Sequence, residues 1–101
     1  MGVNVMFDFA VHGLADEAET RTILDSIADL VTEEGFQDHE VAMGWSVIDG
    51  QYFITGETDY PVGISSFYAM RPRFETGFRE RVHALAPAAT HSINWNCLDG
   101  G

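Results

Sequence analysis

Val3, Val5, Phe7, Phe9 and Val11 alternate with Asn4, Met6, Asp8, Ala10 and His12. Clean period-two alternation predicts a half-buried strand, because successive side chains on a strand point to opposite faces. Gly13 ends it. The period then changes to that of a helix: Ile23, Ile27, Leu30 and Val31 fall on one stripe, helped by Leu24. Asp16 is placed to cap this helix, with Glu19 three residues on to complete a capping box. The helix is expected from about Glu17 to Glu34. Gly35 suits the left-handed position that closes a helix, and Phe36 can pack back on the last turn.

Val41–Thr58 reads VAMGWSVIDGQYFITGET. Asp49-Gly50 lies between two alternating runs, the strongest short-range signal for a two-residue hairpin. A type I′ turn there pairs Ile48 with Gln51, Val47 with Tyr52, Trp45 with Ile54 and Met43 with Gly56. One face carries Val41, Met43, Trp45, Val47, Tyr52 and Ile54. The other carries Ala42, Gly44, Ser46, Phe53, Thr55 and Glu57. A slip of one residue would turn Trp45 and Tyr52 to the wrong side, so the register is well specified.

Thr58–Ser66 shows no period and is punctuated by Pro61 and Gly63. Phe67, Phe74, Phe78, Val82 and Leu85 then keep a helical stripe that Pro72 interrupts. Proline lacks the backbone donor and clashes with the preceding turn. A break is therefore expected at Met70–Arg71, with the main helix from Pro72 to Ala86 and a short separate turn over Ser65–Met70. Pro87 ends the segment. Thr90–Leu98 is the last strand, with His91, Ile93, Trp95 and Cys97 inward and Ser92, Asn94 and Asn96 outward. Asp99-Gly100-Gly101 is expected to fray.

Strand, helix, strand, strand, helix, strand is the order of two split βαβ units. It predicts a single α+β domain over residues 1–101: a ferredoxin-like sandwich, with a four-stranded antiparallel sheet and two helices on one face. Right-handed crossovers place the first and third strands in the centre. The opposite sheet face stays open and collects Asn4, Asp8, His12, Ser46, Phe53, Thr55, Ser92, Asn94 and Asn96, with Met6 and Ala10.

Composition narrows the partners. The 101 residues suffice for one core and are 46% hydrophobic, with no run approaching the ~20 apolar residues of a membrane span. The opening MGVNVMFDF has no basic region before its apolar residues, so no secretory signal is expected. One cysteine, Cys97, allows no internal disulfide, and a cytoplasmic setting is expected. The net charge is −11 and the basic residues are all arginines. Such a surface repels nucleic acid. Residues 1–70 hold 13 acids and one arginine, a net of −12, whereas residues 71–101 hold three acids and four arginines, a net of +1. Asp25, Asp29 and Glu33 recur every four residues and form one outward stripe on the first helix.

Candidate chemistry is sparse. Asp8 and His12 share a strand face but lie ~13 Å apart at ~3.3 Å per residue, too far to hydrogen-bond. His12 is the one candidate acid or base. The histidines at 12, 39, 83 and 91 show no metal spacing, and Cys97 takes the inward parity of a small core residue. No phosphate loop, Gly-x-Ser-x-Gly elbow or paired-carboxylate signature occurs, and no cofactor is expected.

Ile48–Tyr60, IDGQYFITGETDY, together with the element order, resembles small acidic immunity proteins of bacterial polymorphic-toxin systems. The resemblance implies a non-catalytic protein that blocks a toxin. A phage-type inhibitor imitating the charge of nucleic acid would have the same features. The first reading is thus a small acidic binding or inhibitor protein for a basic protein partner, docking through Asp25, Asp29, Glu33 and Phe53. The alternative is a homodimeric ferredoxin-like enzyme or small-ligand carrier, paired through the open sheet faces, with a pocket between sheet and helices.

Overall fold

The computed structural model describes residues 2–98; the tail Asp99–Gly101 lies outside the described residues. Seven elements follow one another: β1 (Gly2–Leu14), α1 (Glu17–Glu33), β2 (Val41–Ile48), β3 (Gln51–Thr58), β4 (Val62–Ser65), α2 (Phe67–Leu85) and β5 (Thr90–Cys97). β1 is the central strand. It pairs antiparallel with β3 and β4 along one edge and with β5 along the other, and β2 flanks β3. The sheet has five strands where four were expected. The addition is β4, which continues the line of β3 after a three-residue excursion at 59–61.

Thr58 explains why the line breaks without loss of pairing. The ladder between β1 and β3 ends at Asp8–Glu57, and β4 takes over at Val5–Val62. Between them the buried Thr58 hydroxyl accepts from the Phe7 amide at 3.1 Å and lies 3.4 Å from the Phe7 carbonyl. A side chain thus stands in for a ladder bond that a buried amide requires.

The local signals at the helix ends produce the expected geometry. Asp16 Oδ1 accepts from the Glu19 amide at 2.8 Å. Gly35 has φ +94°, the Phe36 amide donates to the Val31 carbonyl and the Gly35 amide to that of Thr32. This is the Schellman closure, and it seats Phe36 5.4 Å from Phe7. Asp49 and Gly50 have φ +52° and +76°, and the hairpin register is the one expected.

α2 corrects the reading of Pro72. The helix is continuous from Phe67 to Leu85, with Pro72 inside it. Pro72 is exposed, so its ring points away from the core. Phe67 and Met70 are 2% and 3% exposed and extend the stripe of Phe74, Phe78 and Val82. Burying those two side chains offsets the one backbone bond that proline removes. Both helices cover the same sheet face. Their stripes meet Val5, Phe7, Phe9, Val11 and Ile54 in one core. Trp45 on β2 lies under Arg21 of α1, and Trp95 on β5 lies under Arg71 of α2, so each half closes its outer strand with a guanidinium over an indole.

Candidate functional site

The uncovered sheet face is organised in cross-strand rows. Pairing aligns Ala42 with Glu57, Glu57 with Asp8, and Asp8 with Asn94. The next row is Gly44, Thr55, Ala10 and Ser92. Beyond it Ser46 pairs with Phe53, and His12 with Thr90. The middle row is small, and the rows on either side are larger. That alternation hollows the face: a shallow depression of about 470 Å³ is lined by Asp8, Ala10, Ala42, Gly44, Thr55 and Glu57 together with the backbone beneath them. Two carboxylates therefore stand side by side along one wall. Asn94 Nδ2 donates to Asp8 Oδ1 at 3.0 Å and orients that carboxylate.

His12 lies across the hollow from Asp8, with its ring stacked on Phe53 at 5.6 Å between centroids and 19° between planes. Its partner is an aromatic face. Among the described residues no carboxylate or amide bond to it is seen, such as would orient a general acid or base. Among the described residues no group of three or more histidine, cysteine, aspartate or glutamate side chains converges as metal ligands would. Cys97 is half-buried against the core.

On the helix side, Asp25 and Asp29 are exposed, as the stripe requires. Glu33 is not free: Arg81 Nη2 donates to both its oxygens at 2.9 and 3.0 Å, and Arg81 Nη1 donates to the Ser26 carbonyl at 3.1 Å. Glu34 accepts from Arg73 Nη2 at 2.7 Å and Nε at 3.0 Å, and these pairings raise the pKa of Arg73. Two carboxylates in the last turn and cap of α1 oppose its macrodipole, and the arginines of α2 offset them. Arg21 pairs with Glu17, and Arg71 lies 3.8 Å from Glu75. Among the described residues four of the five arginines thus meet a carboxylate, and all five lie on helices.

The structure therefore separates the sequence-predicted docking residues. Asp25, Asp29 and Glu33 are in the helix layer, and Phe53 is on the opposite, open sheet face. Asp8 and Glu57 come together although nothing local in the sequence links them. Strand parity assigns both to this face, but their adjacency depends on the register between β1 and β3.

A second cluster lies where α2 meets β5. The rings of His83 and His91 are 5.4 Å apart, Phe78 packs against His91 at 5.7 Å, and His83 Nε2 is 3.2 Å from the Ala89 carbonyl. Burial, then the nearby His83 and Arg79, hold the His91 pKa below its ordinary 6.5.

No family model matches the chain, and no curated protein matches it. Solved structures match it in fold. The de novo designed protein Foldit4 superposes with a TM-score of 0.71 at 12% identity, over 92% of this chain and 96% of its own. A dimeric ferredoxin-like protein from an uncultured marine organism gives 0.52 at 13% identity, over 97% of this chain and 98% of its own. An unknown protein from Galdieria sulphuraria gives 0.52 at 12% identity, over 94% of this chain and 50% of its own. These likenesses establish a ferredoxin-like α+β fold. They carry no activity, since one fold hosts many unrelated functions. Among the described residues no helix is long and apolar enough to cross a membrane.

Proposed function

We propose that this chain is a non-catalytic acidic binding protein that sequesters a basic protein, in the manner of a toxin-neutralising or charge-imitating inhibitor. One observation carries the reading. The arginines lie on the helices and are mostly engaged there, so among the described residues the open sheet face presents Asp8 and Glu57 with no fixed positive charge. A basic partner supplies the missing charge, and Phe53 offers an aromatic anchor beside it. Asp25 and Asp29, exposed on the other layer, add to the field that steers encounter. Glu33 contributes less, because Arg81 already neutralises it.

The test is binding of a partner captured from host extract, measured across a salt series. Asp8→Asn with Glu57→Gln should weaken affinity at least tenfold, whereas Asp25→Asn with Asp29→Asn should mainly slow association at low salt. A captured partner with an acidic surface, or affinity indifferent to salt and to both pairs, rules the reading out.

A homodimeric carrier or enzyme is the second reading. The hollow with Ala10 on its floor, the apolar Met6 elsewhere on the same face, and the dimeric ferredoxin-like neighbour favour it. Sedimentation equilibrium at neutral pH separates the two: a dimer whose interface protects Phe53 supports the second, and a monomer the first.

A further inference from the structure

The outer edge of β2 is unguarded. Among the described residues β2 pairs with β3 alone, over all eight residues and without a bulge. Sheet edges are ordinarily blunted by charge, proline or irregularity, because their free amides and carbonyls invite another strand. VAMGWSVI has none of these devices. In a two-residue hairpin the pair next to the turn, Ile48–Gln51, is hydrogen-bonded, and bonded pairs alternate from there. The amides and carbonyls of Val41, Met43, Trp45 and Val47 therefore point away from β3, toward solvent. Val47 is 46% exposed.

Charge selects the occupant. Asp38 and Glu40 precede the strand and Asp49 follows it. A second copy pairing antiparallel around a two-fold axis would bring the end of β2 that follows Asp38 and Glu40 to the end of the copy's β2 that precedes Asp49, gathering acids at both ends of the seam. A basic segment meets no such conflict. Ala42 and Gly44 add a geometric reason. A strand placed outside β2 lies about 10 Å from β3, at ~4.8 Å per strand. A residue of that strand opposite Ala42 shares its open-face parity. Because Ala42 and Gly44 are small, a long side chain there can cross β2 and reach Glu57 along the hollow.

We infer that β2 takes up an extended partner segment by strand addition, with arginine or lysine toward the open face and apolar residues beside Met43, Trp45 and Val47. The inference rests on the acidic-binder reading and adds the mode of engagement.

The probe is the capped peptide Val-Arg-Val-Arg-Val-Arg-Val, titrated into isotope-labelled protein. Its control is the same peptide N-methylated on alternate residues in both frames, which keeps the charge and removes the donors on one edge. Saturable binding is expected, with amide shifts concentrated on Val41–Val47 and Glu57, and at least tenfold weaker binding by one methylated frame. Val47→Pro should weaken binding similarly, since its amide donates outward and its loss leaves the β3 ladder intact. The methylated peptides need no altered protein, so misfolding of that variant does not blunt the test. Equal binding by all three peptides overturns strand addition while the acidic-binder reading stands. Shifts confined to α1, or no binding at all, also overturn it.

Discussion

Gly56 is the position at which a single methyl group should matter most. It pairs with Phe9 across β3 and β1, and the Phe9 ring lies over it. A Cβ added there would sit 2.2 Å from Phe9 Cζ and 2.6 and 2.7 Å from the two Cε atoms, against 3.4 Å for ordinary contact. The ring must retreat by roughly 1 Å, the difference between those distances. It has nowhere easy to go. Phe9 is 2% exposed, with Phe78 at 5.1 Å and Phe7 at 6.5 Å between centroids. Overpacking a closed core costs about 1–3 kcal/mol. Replacing glycine in a strand returns roughly 0.5–1 kcal/mol of backbone entropy. Gly56→Ala should therefore lose about 1–2 kcal/mol net, a fall in Tm of roughly 5–15 °C for a domain of this size. Urea denaturation followed by far-UV circular dichroism measures it, with the m value unchanged. Phe9→Leu should relieve the clash, so the double variant should be at least ~1 kcal/mol more stable than additivity predicts. Wild-type stability in Gly56→Ala, or strict additivity in the double variant, would refute the packing argument.

Thr58→Val keeps the shape but strips the Phe7 amide of its acceptor, and should cost about 1–3 kcal/mol by the same denaturation assay. Gly50→Val meets no atom within 4 Å, so its expected loss of about 1–3 kcal/mol is purely conformational; an unchanged melting temperature would contradict the type I′ turn. His91 has a folded pKa below its unfolded 6.5, so its neutral-state stability is complete above pH 6.5. That contribution falls as the pH drops through 6.5 toward the folded pKa, and His91→Gln should flatten this part of a stability–pH profile. Glu33→Gln weakens the pair with Arg81 and should cost up to about 1 kcal/mol, whereas Asp25→Asn with Asp29→Asn should change stability by less than ~0.5 kcal/mol.

The parts of the fold that could be read from the sequence are those fixed by neighbours along the chain. Asp16, Gly35 and Asp49-Gly50 each act within a few residues, so cap, closure and turn follow from local chemistry. β4 did not show because VGIS is too short for a period, and only the first residues of β1 make it a strand. Pro72 misled because a local rule was set against burial of Phe67 and Met70, and burial prevailed. The open face was legible as a parity and illegible as a site. Parity lists which residues point outward, but the carboxylate wall requires the registers of β1 against β3 and β5, set by pairings about 50 and 86 residues apart in sequence. The engagement of Glu33 was hidden for the same reason, since its partner Arg81 comes from the other helix.

The charge asymmetry between the two ends of the chain now has a structural account, and it bears on what can cover the open face. The later arginines are drawn into the helix layer, where Arg73 and Arg81 hold the acidic end of α1 against α2. None is left for the sheet. Two like charges about 5 Å apart repel by on the order of 3 kcal/mol at an effective dielectric of ~20. A face-to-face homodimer at neutral pH would gather two copies of Asp8 and Glu57 in one interface, with several such pairs and no arginine to relieve them. A partner bringing a guanidinium to the same place reverses the sign of each interaction. Relief of that repulsion in a face-to-face homodimer would need a cation on the sheet, and here all five arginines lie on the helices, where Arg73 and Arg81 join α1 to α2.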